Sequence, residues 1–559
     1  ILSPPATIYY VDDDGSDDND GLTPENAFAT IQKGIDSTNN RDTVIVADGT
    51  YTGEGNNYIT FLGKAITVRS ESGPKNCIID CNGTDSGFGF HNGEGADSLL
   101  DGFTVTNGRA GVGAIYCSSA SPTVANCVIT GNTARNGGGL CFRGSSPTIT
   151  DCTIKGNFAE RGGAIYCDNN SSPTIVNCTI ADNSAGFRGG AIYCKDSSLT
   201  LINCTLAGNS TTYFGGAMYI IDSNVAISDC TFTGNSAEDG GGVYNRESTV
   251  TVDACIFKRN RAEYSGGALY NHRATQKVTN SLFTGNSANA GGAIMNPPNR
   301  LINCTFTGNS AYHGGAINYP HYHFYSFNGE PGQPPDTPIE NCILWGDTPD
   351  EIHPGGHYWY LSDADTVWSS VKFSNVQGGY PGQGNIDADP CFVDPGYWAD
   401  ANDPNIIVGP NDPNAIWVDG DYRLLPTSPC IDAGDPNYIP EPNETDLDGR
   451  PRVIGGRIDM GAYEYIHPLA AQVRISPNTL NLRSQGRWVS CYILLPEDCS
   501  AADIDPNSIF LEDEIPPDKV VSYGRLAMAK FSRSALQELL SDLQTPAEVE
   551  LLVSGQLID

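Results

Sequence analysis

The chain has 559 residues, and its 31 Lys+Arg against 66 Asp+Glu give a formal net charge of −35. That charge repels phosphate backbones and argues against a nucleic-acid partner. Only 17% of the residues are charged and 63 are glycine, which excludes an acidic disordered chain and suits short strands joined by many turns. No stretch approaches the roughly 20 apolar residues that cross a bilayer, so no transmembrane segment is expected. A chain beginning at Ile1 without Met fits a mature secreted protein whose signal peptide is gone, or a trimmed chain.

Residues 1–120 read as an N-terminal cap followed by less regular coils. From 121 to 318 a repeat takes over. Cys127, Cys152, Cys178, Cys204, Cys230 and Cys255 recur every 25 or 26 residues, and Cys304 and Cys342 continue the series irregularly. The register is Ser-Pro-Thr-Ile-x-Asn-Cys-Thr-Ile-x-x-Asn-Ser-Ala, a short turn, then Gly-Gly-Ala-Ile-Tyr-Cys. Such a period marks a solenoid whose repeats cannot bury their apolar faces alone. Alternation with period two (Cys178 and Ile180, Ile192 and Cys194) makes the elements strands. The expected fold is all-β, a right-handed single-stranded parallel β-helix.

Stacking the coils about 4.8 Å apart sets like residues above like. The cysteines then form an internal thiol column, in which Ser at Cys178 or Cys204 is expected to destabilise more than Ala. Asn132, Asn157, Asn183, Asn209, Asn235, Asn260, Asn286 and Asn309 form a second column, bonded from coil to coil. The Gly-Gly pair marks a bend that excludes a Cβ. From 319 to 465 the period breaks into irregular and closing coils with Pro-, His- and aromatic-rich inserts. Residues 466–559 form a small β-sandwich-like module with a helix near Ser534–Leu543. Cys491 and Cys499 are candidates for a disulfide there.

Phe232-Thr-Gly-Asn235, Phe283-Thr-Gly-Asn286 and Phe306-Thr-Gly-Asn309, with Gly163-Ala-Ile165, Gly190-Ala-Ile192 and Gly292-Ala-Ile294, resemble the repeats of polymorphic outer-membrane proteins, which are β-helical surface adhesins. Tyr9-Tyr-Val-Asp-Asp-Asp-Gly-Ser and Asp42-Thr-Val-Ile-Val-Ala-Asp-Gly-Thr-Tyr51 are similar to the first coils of secreted pectate-lyase-like proteins. Asp421-Tyr-Arg-Leu-Leu, Ser428-Pro-Cys-Ile-Asp-Ala-Gly434 and Asp459-Met-Gly-Ala-Tyr-Glu-Tyr465 resemble the closing coils of large bacterial surface β-helix proteins. The resemblances imply the fold and leave both an adhesin and an enzyme open.

Three sets of side chains are candidates for function. After each Ile-Tyr-Cys strand stand Arg143, Asp168, Lys195, Asp196, Asp222, Arg246, Glu247, His272 and Arg273. From these a polysaccharide lyase would draw Lys195, Arg246, His272 and Arg273 as base and carboxylate neutraliser, and otherwise they are a solvated turn column. Just before each Gly-Gly pair stand Phe187, Arg188, Tyr213, Phe214, Tyr264, Tyr312 and His313, with Trp359 at the same end. Stacked aromatics in one row suit an extended glycan or another copy of the chain, and otherwise they pack on one another. Asp12, Asp14, Asp18 and Asp20 space oxygen ligands around glycines, as a structural Ca²⁺ loop or an Asx-turn cluster would. The reading is an extracellular or cell-surface structural, adhesive or fibre-forming protein that binds glycans or itself. The alternative is a secreted lyase or hydrolase of an acidic polysaccharide.

Overall fold

In the computed structural model each repeat closes into one four-sided coil. Thr174–Val176, Thr179–Ala181, Ser184–Arg188 and Ile192–Lys195 are the strands of one such coil. Each pairs in parallel with its equivalent one coil away, so that Ile175 lies beside Leu201, Ile180 beside Leu206 and Tyr193 beside Tyr219. In coil order the four resulting sheets have 14, 13, 7 and 12 strands among the described residues. These residues are 5–319, 337–353 and 369–466, and beyond them 471–476, 487–496, 499–504, 508–511, 515–540, 551, 553 and 554. The chain divides into two units, Ile1–Tyr465 and Ile466–Asp559.

Left-handed corner residues explain the repeat. Asn177 (φ 53°), Asp182 (φ 54°), Gly189 (φ 64°) and Asp196 (φ 46°) turn its four corners, a conformation that Gly, Asn and Asp tolerate best. The second glycine of the pair serves close approach instead. A Cβ on Gly190 would lie 2.1 Å from the Gly216 carbonyl oxygen.

The asparagine column is a continuous buried ladder. Asn183 donates its backbone N–H and its Nδ2 to Oδ1 of Asn209, each at 3.0 Å, and Nδ2 also reaches the Ile154 carbonyl at 2.9 Å. The same bonds recur from Asn132 to Asn309, where Asp347 Oδ1 accepts the last pair. Beside it, Phe232, Phe257, Phe283 and Phe306 stack at 4.6–4.9 Å between ring centres.

All 18 cysteines are free thiols, Cys491 and Cys499 included. The repeat thiols are more than apolar filler, which reverses the expectation for substitution. Cys178 N–H donates to Cys204 Sγ at 3.4 Å, and Cys204 Sγ–H donates to the Ile202 carbonyl at 3.2 Å. Ser281 occupies the same column with the same two bonds, from Cys255 N–H and to the Thr279 carbonyl. Serine therefore replaces the rung, while alanine orphans a buried N–H.

At the N-terminal end the helix Ile31–Ser37, capped by Thr30, buries Ile31 and Ile35 over the first coil. At the other end the sheets run to Ser369–Lys372 and Asn375–Val376. Residues 391–465 then depart from the expected closing coils. They form antiparallel pairs, Phe392–Asp394 with Asp421–Leu424 and Tyr397–Asp400 between Asp403–Ile407 and Ala415–Val418. This segment packs along the second sheet through Phe392, Tyr422, Leu424 and Met460 against Leu282 and Ile343. Trp417 lies where Cβ atoms on Gly285 and Gly308 would be, 2.3 and 2.1 Å from its ring. Arg452 and Glu464, fully buried, pair at 3.3 Å.

The second unit is a four-stranded antiparallel sheet of Gln472–Ser476, Trp488–Leu494, Leu526–Ser532 and Pro517–Tyr523. Phe510–Leu511 pairs with Val553–Ser554 as a second small sheet. Val489, Cys491, Ala529 and Phe531 share a core with Leu511 and with Leu536 of the helix Arg533–Leu539. That helix starts earlier than its leucine spacing suggests, because Ser532 and not Ser534 accepts the capping bond from Ala535 N–H.

Two substitutions test the ladders. Cys204→Ser is expected to shift unfolding by less than about 1 kcal/mol, and Cys204→Ala to cost about 1–3 kcal/mol. Asn209→Ala, which strips both donors of Asn183 of their acceptor, is expected to cost about 2–4 kcal/mol. Denaturant unfolding of the three variants provides the comparison.

Candidate functional site

The outward face of the fourth sheet and the corner beside it form the site. The middle residue of each Ile-Tyr-Cys strand points outward, and Tyr166, Tyr193, Tyr219, Tyr244 and Tyr270 stack as a ladder with centroid spacings of 4.8–5.4 Å. Although they lie on the outside, Tyr166, Tyr193, Tyr219 and Tyr244 are only 1–8% exposed. Rows on either side cover them. The period of Tyr in the sequence could have revealed this floor, but it was absorbed into the strand motif.

The first row holds the lyase candidates. Arg143 lies beside Asp168, Lys195 beside Ile221, Ile221 beside Arg246 and Arg246 beside His272, each one coil apart. Arg143 and Asp168 approach to 3.9 Å, and the Tyr166 hydroxyl donates to Asp168 at 3.0 Å. Lys195, Arg246 and His272 thus share one face, whereas Arg273 does not join them. Arg273, Asp196, Asp222 and Glu247 are the left-handed corner residues, with φ of 46–52°. Lys195 pairs with Asp196 and Arg246 with Glu247, both at 3.5 Å. Burial, with Arg246 and Arg273 adding to it, holds the His272 imidazole below its ordinary value.

The second row precedes the Gly-Gly corner. Arg161 lies beside Arg188, Arg188 beside Phe214, and the row continues through Asp239, Ser265 and Ala290 to His313. Phe214 is therefore no exposed ring. It turns inward onto Tyr244 at 4.9 Å and Tyr219 at 6.3 Å. The residues just before this row face solvent: Phe187 (48% exposed), Tyr213 (41%), Tyr264 (49%) and Tyr312 (69%). Phe187 and Tyr213 stack nearly parallel, 6.2 Å apart with 3° between planes. The expected continuous ribbon ends there, because Glu238 and Asn289 occupy the positions between Tyr213, Tyr264 and Tyr312. Trp359 lies outside the described residues.

The acidic N-terminal loop turns its carboxylates onto backbone. Asp12 Oδ1 accepts from Asp14 N–H and Asp20 Oδ1 from Leu22 N–H, while Asp18 N–H is bound by Ser16. Asp17 accepts from Ala29 N–H, Thr30 N–H and the Thr30 hydroxyl. Among the described residues no three His, Cys, Asp or Glu side chains come together to hold an ion.

The spacing gave no sign of a cavity of about 440 Å³ at the last coil, lined by Asp347, Asp350, Glu351, Gln377 and Tyr380. Burial and the facing Asp347 carboxyl keep Glu351 protonated far above the ordinary carboxylate range. Asp350 accepts from Gly314 N–H and meets His353 Nδ1 at 2.9 Å.

A family model described as "Right handed beta helix region" matches residues 64–217 and 163–320. The fold is a right-handed parallel β-helix. Among solved structures, pectate lyase Pel9A is 15% identical with a TM-score of 0.34, covering 82% of this chain and 97% of its own. The PL6 family alginate lyase AlyGC is 13% identical with a TM-score of 0.43, covering 68% and 54%. The A-module of mannuronan C-5 epimerase AlgE6 from Azotobacter vinelandii is 12% identical with a TM-score of 0.33, covering 64% and 94%. At these scores the three likenesses say nothing about chemistry. No match was found among curated proteins. No helix among the described residues is long and apolar enough to cross a membrane.

Burial raises the Asp239 and Asp459 carboxyls from 3.8 to about 6. A raised native value means the folded state binds more protons than the unfolded chain, so stability falls as pH rises. Their contribution is complete below pH 3.8 and is lost as pH passes about 6. Self-repulsion of the −35 charge acts in the same direction. The melting temperature is expected to be higher at about pH 5 than at about pH 7.5, as calorimetry in buffers of equal ionic strength would show.

Proposed function

We propose that this chain is an extracellular or cell-surface β-helix that holds an extended glycan across the corner between its third and fourth sheets. The observation that carries the reading is the parallel, half-exposed pair Phe187 and Tyr213 on successive coils. Two apolar rings at one coil spacing offer a sugar chain the stacking faces that glycan binding uses. Beneath them the buried tyrosine ladder makes a rigid floor, so little ordering entropy is lost on binding. Open length along the stack suits a polymer better than a small molecule.

An enzymatic second reading, cleavage of an acidic polysaccharide, is favoured by one feature. His272 is held uncharged beside Arg246, a base next to a carboxylate-neutralising cation.

Affinity electrophoresis in gels containing plant and bacterial polysaccharides tests the main reading. Phe187→Ala with Tyr213→Ala is expected to weaken retardation about tenfold without altering circular dichroism. Unchanged retardation, or none for the parent protein in any glycan, would sink it. Ultraviolet absorbance from unsaturated products in the same mixtures would transfer the reading to the enzyme, and concentration-dependent sedimentation without glycan would transfer it to self-association.

A further inference from the structure

This inference rests on the glycan reading and narrows it. We infer that Arg161, Arg188 and Lys195 form a subsite for the anionic group of an acidic sugar, beside the Phe187–Tyr213 stack.

Arg161 and Arg188 are parallel-sheet neighbours in register, which puts two guanidinium-bearing positions about 4.8 Å apart along the stack. Like charges directly opposite on adjacent strands repel. Three other cations on these faces are compensated: Arg135 meets Glu160 at 3.5 Å, Arg143 meets Asp168 at 3.9 Å and Arg246 meets Glu247 at 3.5 Å. Among the described residues neither Arg161 nor Arg188 has a carboxylate within ion-pair distance. Arg188 instead lies over the rings of Phe214 at 5.8 Å and Tyr219 at 5.1 Å, which fixes its guanidinium on the floor.

Lys195 approaches the same place from the other row. It is two residues from Tyr193 on the same outward face of the strand Ile192–Lys195. The charges of Arg161, Arg188 and Lys195 all act on the buried Tyr193 hydroxyl and offset part of the rise that burial imposes on it. Three cations thus surround one ring of the floor. The acids around them are Asp196, which pairs with Lys195, Asp168, which already holds Arg143 and Tyr166, Glu160, which pairs with Arg135, and Asp239, two coils along the row from Arg188. In a chain of net charge −35, such a local excess of positive charge is against the average and selects the partner. Overall charge argues against polyanions, yet here two arginines without an ion-pair partner among the described residues follow one another over two coils.

Two arginines one coil apart can grip a carboxylate or sulfate with charge-assisted, forked bonds. Phe187, next to Arg188 in sequence and facing solvent, would carry the ring of the same sugar.

Titration calorimetry with hexagalacturonate, a sulfated galactan oligomer and a neutral galactan oligomer tests this, on the parent chain, Arg161→Gln, Lys195→Gln, the Arg161→Gln/Arg188→Gln double variant, and Phe187→Ala/Tyr213→Ala. Binding of either acidic oligomer, weakened about tenfold or more by the double variant, with less loss for the singles and little for the neutral oligomer, supports the subsite. The acidic oligomer that binds more tightly says whether carboxylate or sulfate is the group. Equal binding of acidic and neutral oligomers, unchanged by the arginine variants, overturns the subsite and leaves the glycan reading standing. Acidic binding lost in the arginine variants but unaffected by Phe187→Ala/Tyr213→Ala keeps the subsite and overturns the aromatic surface. No binding of any oligomer overturns both. Relief of like-charge repulsion gives a second readout. Without ligand, Arg161→Gln is expected to melt no lower than the parent, and a clearly lower value would assign Arg161 to folding instead.

Discussion

The coils of the first unit depend on vertical register: a residue in one coil must find its own kind, or a chemical equivalent, in the next. The asparagine ladder imposes this most strictly. Each buried amide spends three donors and one acceptor on its neighbours, Asn183 on Asn209 and on the Ile154 carbonyl, for example. A slip of one residue would orphan all of them in a region with no water to take their place. Substitutions inside the columns obey the same rule. Ser281 stands in for cysteine because it repeats both hydrogen bonds, and Asp347 ends the asparagine series because its Oδ1 can still accept from Asn309.

The register that orders the core also orders the surface. Side chains that leave the coil at the same position form straight rows one coil apart, so a β-helix multiplies any local choice of residue into a stripe. Where signs alternate, as at Arg143 and Asp168, the stripe neutralises itself. Where they repeat, as at Arg161 and Arg188, charge accumulates. Aromatics behave alike. The tyrosine ladder is continuous and buried, while the outer row holds only the Phe187–Tyr213 pair before Glu238 interrupts it.

Residues 391–465 follow different physics. They do not extend the ladders but lie against the second sheet through a few large side chains and a polar web. The Tyr422 hydroxyl meets Thr284, Trp417 and the Gly420 amide, and Asp419 pairs with Lys258 and Arg259. Gly285 and Gly308 leave room for Trp417, whereas the equivalent Gly234 faces open space.

The sequence by itself determined the coil. Its period, the inward Ile and Cys, the Asn rungs and the Gly-Gly corners each act between residues whose separation is fixed by one turn, so a linear reading finds them. What it could not determine is whether an outward position is covered. Phe214 reads like Tyr213, yet it folds onto Tyr244 while Tyr213 stays in solvent. Arg273 reads like Arg246, yet a corner carries it away from the shared face. The acidic loop reads as a row of oxygen ligands, and only the fold shows that Asp12, Asp17 and Asp20 accept from backbone amides. The buried Arg452–Glu464 pair, the departure of residues 391–465 from the coil and the crowding of Arg161, Arg188 and Lys195 around Tyr193 were likewise decided only in three dimensions. The last depends on how separate rows meet at a corner, beside the bulge between the strands that carry Arg161 and Arg188.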